Sequence, residues 1–339
     1  MIQLERPTIR RRDMSAVLQT LADEHIGIGE NTHNFASALS EYLGYPSRLL
    51  TLRSIIDALS LALRSLHLET GSSVGVSALA PSWYRRVLDL HGFEVVVFDI
   101  DPDTLCLDEK KLSEHTVSAL IVDEMYGYQG PQSLYEALSV PVIANITHSF
   151  GSTRDGQAAG SAADIVIMSF EQGDIVSCGG GAGLAFRDEV FYHEIEKEVS
   201  TLYQHIALGD MNSALGLIQL GQMQDNLMRR EAFHQRFFLA SQRNRHRCYA
   251  MMDEGYVHNG YSFILTLEGK YEESEAFAKK HGILTSRAFR NILLDEAGDA
   301  FISFPRSAAV ASRTMRFPLY PFLTEKEVQQ IERVIAHIP

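Results

Sequence analysis

Two rhythms of hydrophobic and polar positions alternate along the first half of the chain. Phe35, Leu39 and Leu43 recur at helical spacing, and a second amphipathic run extends from Ile55 to Leu66. Val74-Gly75-Val76 reads as a short buried strand, and Ser82 to Leu90 as a helix that Gly92 ends as its C-cap. Val95-Val96-Val97-Phe98 is an unbroken, largely β-branched run, as expected of a strand covered on both faces. The pattern then repeats. Strands are predicted at Ser118 to Val122, Pro141 to Ile146, Asp164 to Ser169 and Gly183 to Phe186, with a helix at Gln132 to Leu138. Strands alternating with helices at this spacing predict a mostly parallel sheet with helices on both faces. Such sheets hold ligands beyond the carboxyl ends of their strands.

After Glu189 the pattern becomes helical, from Phe191 to His205 and from Ser213 to about Arg247. Short elements return beyond Gly260: a strand at Ser262 to Leu267, a helix at Glu272 to His281 and a terminal helix at Thr324 to Ile338. Thr324 and Glu327 have the spacing of a capping box. The expected division is an N-terminal arm (1–12), a large α/β domain with its connecting helix (13–240) and a small α+β domain (241–339).

Composition narrows the function. At 339 residues the chain exceeds the ~250–300 at which one core usually stops growing, so two domains are expected. A net charge of −13 argues against a nucleic-acid partner, which would demand clustered Lys and Arg. No apolar run is long enough to span a membrane, and Met1 to Arg6 lack the apolar stretch of a secretory signal. Cys106, Cys178 and Cys248 are widely spaced and odd in number, which suggests a reducing, cytoplasmic setting and no disulfide framework. No Cys or His spacing supports a metal site.

Several segments, in order, resemble the DegT/StrS-type sugar aminotransferase family. They are Asp57 to Leu63, Phe98-Asp99-Ile100-Asp101-Pro102-Asp103-Thr104-Leu105, Met125-Tyr126-Gly127, Asp164 to Phe170, Ser213 to Leu220, and Phe317-Pro318-Leu319-Tyr320-Pro321 with Leu323-Thr324. The resemblance implies the aspartate-aminotransferase-like fold of pyridoxal-phosphate (PLP) enzymes: a mixed, mostly parallel α/β domain with a small α+β domain. It also implies a homodimer with sites at the interface.

The positions that carry the family's chemistry depart from its pattern. The resemblance aligns the cofactor lysine with Asp174, in Ser169-Phe170-Glu171-Gln172-Gly173-Asp174, and a carboxylate cannot condense with an aldehyde. The chain has seven lysines and none between Lys111 and Lys197, so a shift of alignment by one or two residues restores nothing. The aspartate that protonates the pyridine nitrogen aligns with Asn145, which carries no charge. In the phosphate turn Ser54 remains, but Ile55 and Ile56 replace glycine and threonine. Ser169 keeps its place, His205 stands where a partner-chain asparagine is expected, and Trp83 is a candidate for the missing ring-stacking aromatic.

What remains at the strand ends is a different polar set: Glu124, Asn145, His148, Glu171 and Asp174. If they converge, His148 with Asp174 or Glu124 forms a candidate acid/base group, because a carboxylate orients imidazole and raises its basicity. The bland alternative is a solvated pocket with no chemistry. The leading expectation is a homologue that does not transaminate and binds a nucleotide-sugar-like metabolite in the former PLP pocket, without a cofactor. The alternatives are an enzyme with changed acid/base chemistry and a surviving aminotransferase using PLP or pyridoxamine phosphate (PMP) non-covalently. Gly179-Gly180-Gly181 precedes a strand, so it reads as a tight backbone passage and not as a dinucleotide loop. Cys178 reads as a small core residue, and Arg236 to Arg247 as a solvated helix face.

Overall fold

The computed structural model describes all residues except 12, 45–48, 113, 131–133, 136–138 and 250–254. Most of the helix expected at Gln132 to Leu138 therefore lies outside the described residues. The strands are β1 (Leu49–Leu52), β2 (Ser73–Ser77), β3 (Glu94–Phe98), β4 (Ala119–Asp123), β5 (Val142–Asn145), β6 (Thr153–Arg154), β7 (Gln157–Ala158), β8 (Ile165–Ser169), β9 (Ala182–Phe186), β10 (Arg247–Cys248), β11 (Tyr256–Val257), β12 (Phe263–Thr266), β13 (Ser286–Arg287) and β14 (Thr314–Phe317).

The main sheet runs β1-β9-β8-β5-β4-β2-β3. Its β3-β2-β4-β5-β8 portion is parallel, whereas β9 is antiparallel to both β8 and β1. The fold is the expected α/β architecture with a mixed, mostly parallel sheet. Both faces are covered. One packs Ile121, Ile143, Ile165 and Ile167 against the helices Ile55–Ser65 and Trp83–Leu90, and the other packs Leu120, Val122, Ala144 and Val166 into a separate cluster. Burial on both faces explains why β4 and β5 read as continuous apolar runs.

The chain's second half differs from expectation in one respect. The long pattern from Ser213 to Arg247 forms two helices, Asp210–Gly221 and Met223–Ser241, and ends before β10. Gln222 sits at φ −104°, ψ 8°, outside the helical region, directly after Gly221. A residue of low helix propensity at that point weakens the ladder, and apolar periodicity alone does not register the break. A second sheet, β10-β12-β14-β13, supports the terminal helix Glu325–His337, whose N-terminus carries the expected Thr324–Glu327 capping box. Ile2 pairs in parallel with Ile283, tying the start of the chain to this second unit. Arg236, expected on a solvated face, instead grips Glu325 and Glu332 of the terminal helix. Among the described residues no helix is long and apolar enough to cross a membrane.

Candidate functional site

Parallel register places Asp123, the last residue of β4, beside Asn145, the last of β5. Tyr84, fully buried on the helix Trp83–Leu90, reaches both. Its hydroxyl donates to Asp123 Oδ1 at 2.7 Å, and Asn145 Nδ2 donates to the same oxygen at 3.0 Å and to the Tyr84 hydroxyl at 2.9 Å. The amide oxygen of Asn145 accepts from the Thr147 backbone N–H at 3.1 Å and from its hydroxyl at 2.7 Å. Asn145 is thus committed on both sides. Asp123 Oδ2, by contrast, is buried with no hydrogen-bond partner. Burial pushes the Asp123 carboxyl up to about 7 against the two hydrogen bonds that lower it. Sequence reasoning missed Asp123. The available signal was an acid closing a strand buried along its whole length.

These groups form part of the wall of a cavity of about 300 Å³ at the carboxyl ends of β4, β5 and β8. The wall also contains Trp83, Tyr126 and Phe289, and it brings together the expected site residues Trp83, Glu124, Asn145, His148, Ser169 and Glu171. Arg290, not singled out from sequence, also borders the cavity and is exposed. Tyr126 holds a left-handed backbone (φ 56°), unusual for a large side chain, and its hydroxyl donates to the Ala288 carbonyl. Gly127 follows at φ 91°, where an added Cβ would stand 2.5 Å from His258 Nε2. This turn fixes one wall of the cavity.

His148 does not have the character expected of a base. Its ring stacks on Tyr261 at 4.2 Å and tilts against Tyr126 at 5.0 Å. Burial first, and then the Arg316 guanidinium, push its pKa down to about 3, opposite to the effect of a carboxylate partner. Glu124 accepts from the Ser149 hydroxyl at 2.6 Å, the Tyr135 hydroxyl at 3.0 Å and the Gly160 N–H at 3.4 Å. It fastens β4 to its neighbours, and burial raises its pKa.

Three expected site residues are not part of this wall. Asp174 is buried, accepting from the Ser169 hydroxyl at 2.6 Å, the Glu171 N–H at 2.7 Å and the Tyr261 hydroxyl at 3.2 Å, and burial pushes it up to about 7. Ser54 caps the helix Ile55–Ser65: its hydroxyl accepts from the Asp57 N–H at 3.1 Å and donates to the Asp57 carboxylate at 2.8 Å. His205 is exposed beside Gln204. The glycine run expected as a tight passage is tight only at Gly181, while Gly179 and Gly180 are required by backbone conformation and not by space. Gly179, Gly180 and Gly181 all have positive φ, and a Cβ on Gly181 would stand 2.6 Å from Leu208. The Cys178 thiol is buried and its pKa raised, which leaves it un-ionised.

Comparison with known proteins places this geometry in context. A transaminase acting on UDP-4-amino-4,6-dideoxy-N-acetyl-β-L-altrosamine, from Campylobacter jejuni, is 28% identical over 68% of this chain and 67% of its own length. A dTDP-4-dehydro-2,3,6-trideoxy-D-glucose 4-aminotransferase of Saccharopolyspora spinosa is 23% identical over 98% of this chain and 95% of its own. Among solved structures, the sugar aminotransferase CalS13 of Micromonospora echinospora superposes with a TM-score of 0.87 at 17% identity, covering 99% of each chain. A structure described as a sugar aminotransferase of Streptococcus pneumoniae, in its PMP form, superposes at 0.89 with 22% identity, covering 98% of this chain and 96% of its own. The same protein in its PLP form gives 0.88. The family model matches residues 7–336, nearly the whole length, and on that extent the chain belongs to the DegT/DnrJ/EryC1/StrS aminotransferase family.

Proposed function

We propose that this protein does not transaminate and instead binds a nucleotide-sugar-like or related metabolite in the cavity at the ends of β4, β5 and β8. The observation that carries this reading is Asp174. Where the family resemblance calls for an amine, a carboxylate stands, engaged by Ser169, Glu171 and Tyr261. The described cavity wall contains no lysine, and its one cationic side chain is the exposed Arg290. A guanidinium does not serve as an imine nitrogen.

The phosphate end fits no better. A helix N-terminus binds an anion through unsatisfied N–H groups and its positive dipole end. At Ile55–Ser65 the Asp57 N–H is already taken by Ser54, and the Asp57 carboxylate occupies the first turn. The residues present therefore do not fit a phosphorylated cofactor held as an imine. PLP or PMP bound without a covalent link is the alternative. His148 adds little support for acid/base chemistry, because a group held near 3 is a weak base at neutral pH.

A cavity of about 300 Å³ lies at the small end of ligand sites, with room for a sugar ring, and the exposed Arg290 borders it. The proposed assembly is a homodimer, as the family resemblance implies. The test mixes purified protein with PLP and records visible absorption, then reduces with borohydride and weighs the product. No imine band and no fixed adduct are expected, while UDP- and dTDP-sugars raise the melting temperature. A visible band that borohydride fixes to a side chain would overturn the reading.

A further inference from the structure

We propose that Asp123 is the recognition group of the cavity, and that the part of the ligand seated there carries a protonated amine. The inference rests on the reading above that the cavity binds a metabolite and no imine cofactor. Three observations lead to it.

The first is the state of the carboxyl itself. Oδ1 is shared by the Tyr84 hydroxyl and the Asn145 amide, while Oδ2 is buried and holds no donor. An unmet buried acceptor in a native fold calls for an explanation, and a ligand that supplies the donor is one. The terminal torsion of an aspartate is broad, so a modest turn presents either oxygen to the cavity that Asp123 lines.

The second is that neither of the two groups already bonded to Asp123 can supply that donor without giving up another bond. Asn145 spends its amide on Asp123 and Tyr84 and its oxygen on Thr147. The Tyr84 hydroxyl already donates to Oδ1.

The third is the sign of the wall. Among the described residues, Asp123, Glu124 and Glu171 border the cavity with Arg290 as the one cationic side chain, His148 being held neutral. An acid surplus favours a cationic guest, two of its members, Asp123 and Glu124, being buried and Glu171 exposed, and the Trp83, Tyr126 and Phe289 rings add faces that attract one. The position also differs from the strand end at which the family resemblance expects an acid. The acid stands on β4, and its neighbour on β5 is an amide.

The probe pair is D-glucosamine and D-glucose, alike except for an ammonium in place of a hydroxyl, with binding followed by NMR titration. Glucosamine is expected to bind about tenfold more tightly than glucose, and Asp123→Asn to erase the difference. Because the amide variant can disturb Tyr84 and Asn145, a measurement on the unaltered protein is paired with it. From about pH 5.5 to about pH 7, glucosamine affinity rises as Asp123 ionises. The groups facing that carboxyl are Tyr84 and Asn145 directly, and Glu124, His148, Glu171 and Arg290 around the cavity. Equal binding of the two sugars, or a glucosamine affinity that neither the variant nor pH changes, overturns the inference. In the second case the cavity still binds a metabolite, so the functional reading survives. A borohydride-fixed PLP adduct would instead remove that reading.

Discussion

Asp123 and Asp174 are two buried carboxyls of the same domain, each pushed up to about 7 chiefly by desolvation. Their surroundings differ. Asp174 receives donors on both oxygens, two hydroxyls and one backbone N–H, and it stitches the segment after β8 to Tyr261. Asp123 receives two donors on one oxygen and none on the other. Burial dominates how reluctantly each ionises, and the hydrogen bonds to each oppose it. Hydrogen bonding decides whether an oxygen is left over for a ligand. By that criterion Asp174 is engaged by donors on both oxygens, and the acceptor left without a donor belongs to Asp123, which borders the cavity.

The largest expected effect tests this contrast directly. Asp174→Ala leaves three donors unpaired and is expected to cost about 2–4 kcal/mol in urea unfolding, whereas Asp123→Ala costs about half as much. Equal losses would show that the two carboxyls do not differ in structural weight.

The next test is a pH dependence. Asp174 keeps its proton in the folded state well above 3.8, so its favourable contribution is complete below about pH 4 and is lost as pH climbs towards about 7. The stability of Asp174→Asn relative to the unaltered protein is therefore expected to improve steadily over that range and then level off. His148 and His234, pushed down to about 3 and about 4, act in the opposite sense, losing stability as pH falls below 6.5. They are common to both proteins and cancel in the difference. A flat difference would mean that Asp174 titrates normally. The smallest effect belongs to Tyr84→Phe, which deletes one bond in each direction of the Asp123–Asn145 network and is expected to cost about 1 kcal/mol, read from the urea midpoint. No change would mean that the hydroxyl does not hold Asp123 in place.

Particular residues show what was legible in the chain. The apolar stretch before Asn145 gave its strand because burial on both faces leaves a continuous pattern. The run at Val95 to Phe98 also forms a strand but lies at the sheet edge with its valines only half-buried, so the expected cover on both faces is not met there. Thr324 and Glu327 cap the terminal helix as their spacing predicts, whereas Ser54, read from sequence as a remnant of a phosphate turn, caps the helix Ile55–Ser65. Trp83, Asn145, His148 and Ser169 were legible as pocket residues because the ends of parallel strands and the helix starts beside them converge. Asp123 was not. A single acid after four apolar residues looks like the end of a strand, and only its register with Asn145 and the reach of Tyr84 give it a role. The expected basicity of His148 failed for a related reason. Its rings and its cation come from Tyr126, Tyr261 and Arg316, residues distant in sequence.

Taken by itself, the order of residues determined the alternation of strands and helices, the cap of the terminal helix, the strand-end position of the pocket and the presence of an acid at position 174. These are local properties, set by periodicity, by backbone preference and by the identity of one side chain. Tertiary structure alone decided which carboxyl has donors on both oxygens and which keeps a buried oxygen without one, and which imidazole is neutral. Desolvation and hydrogen bonding depend on what packs against a group, and those neighbours arrive from strands and helices far apart along the chain.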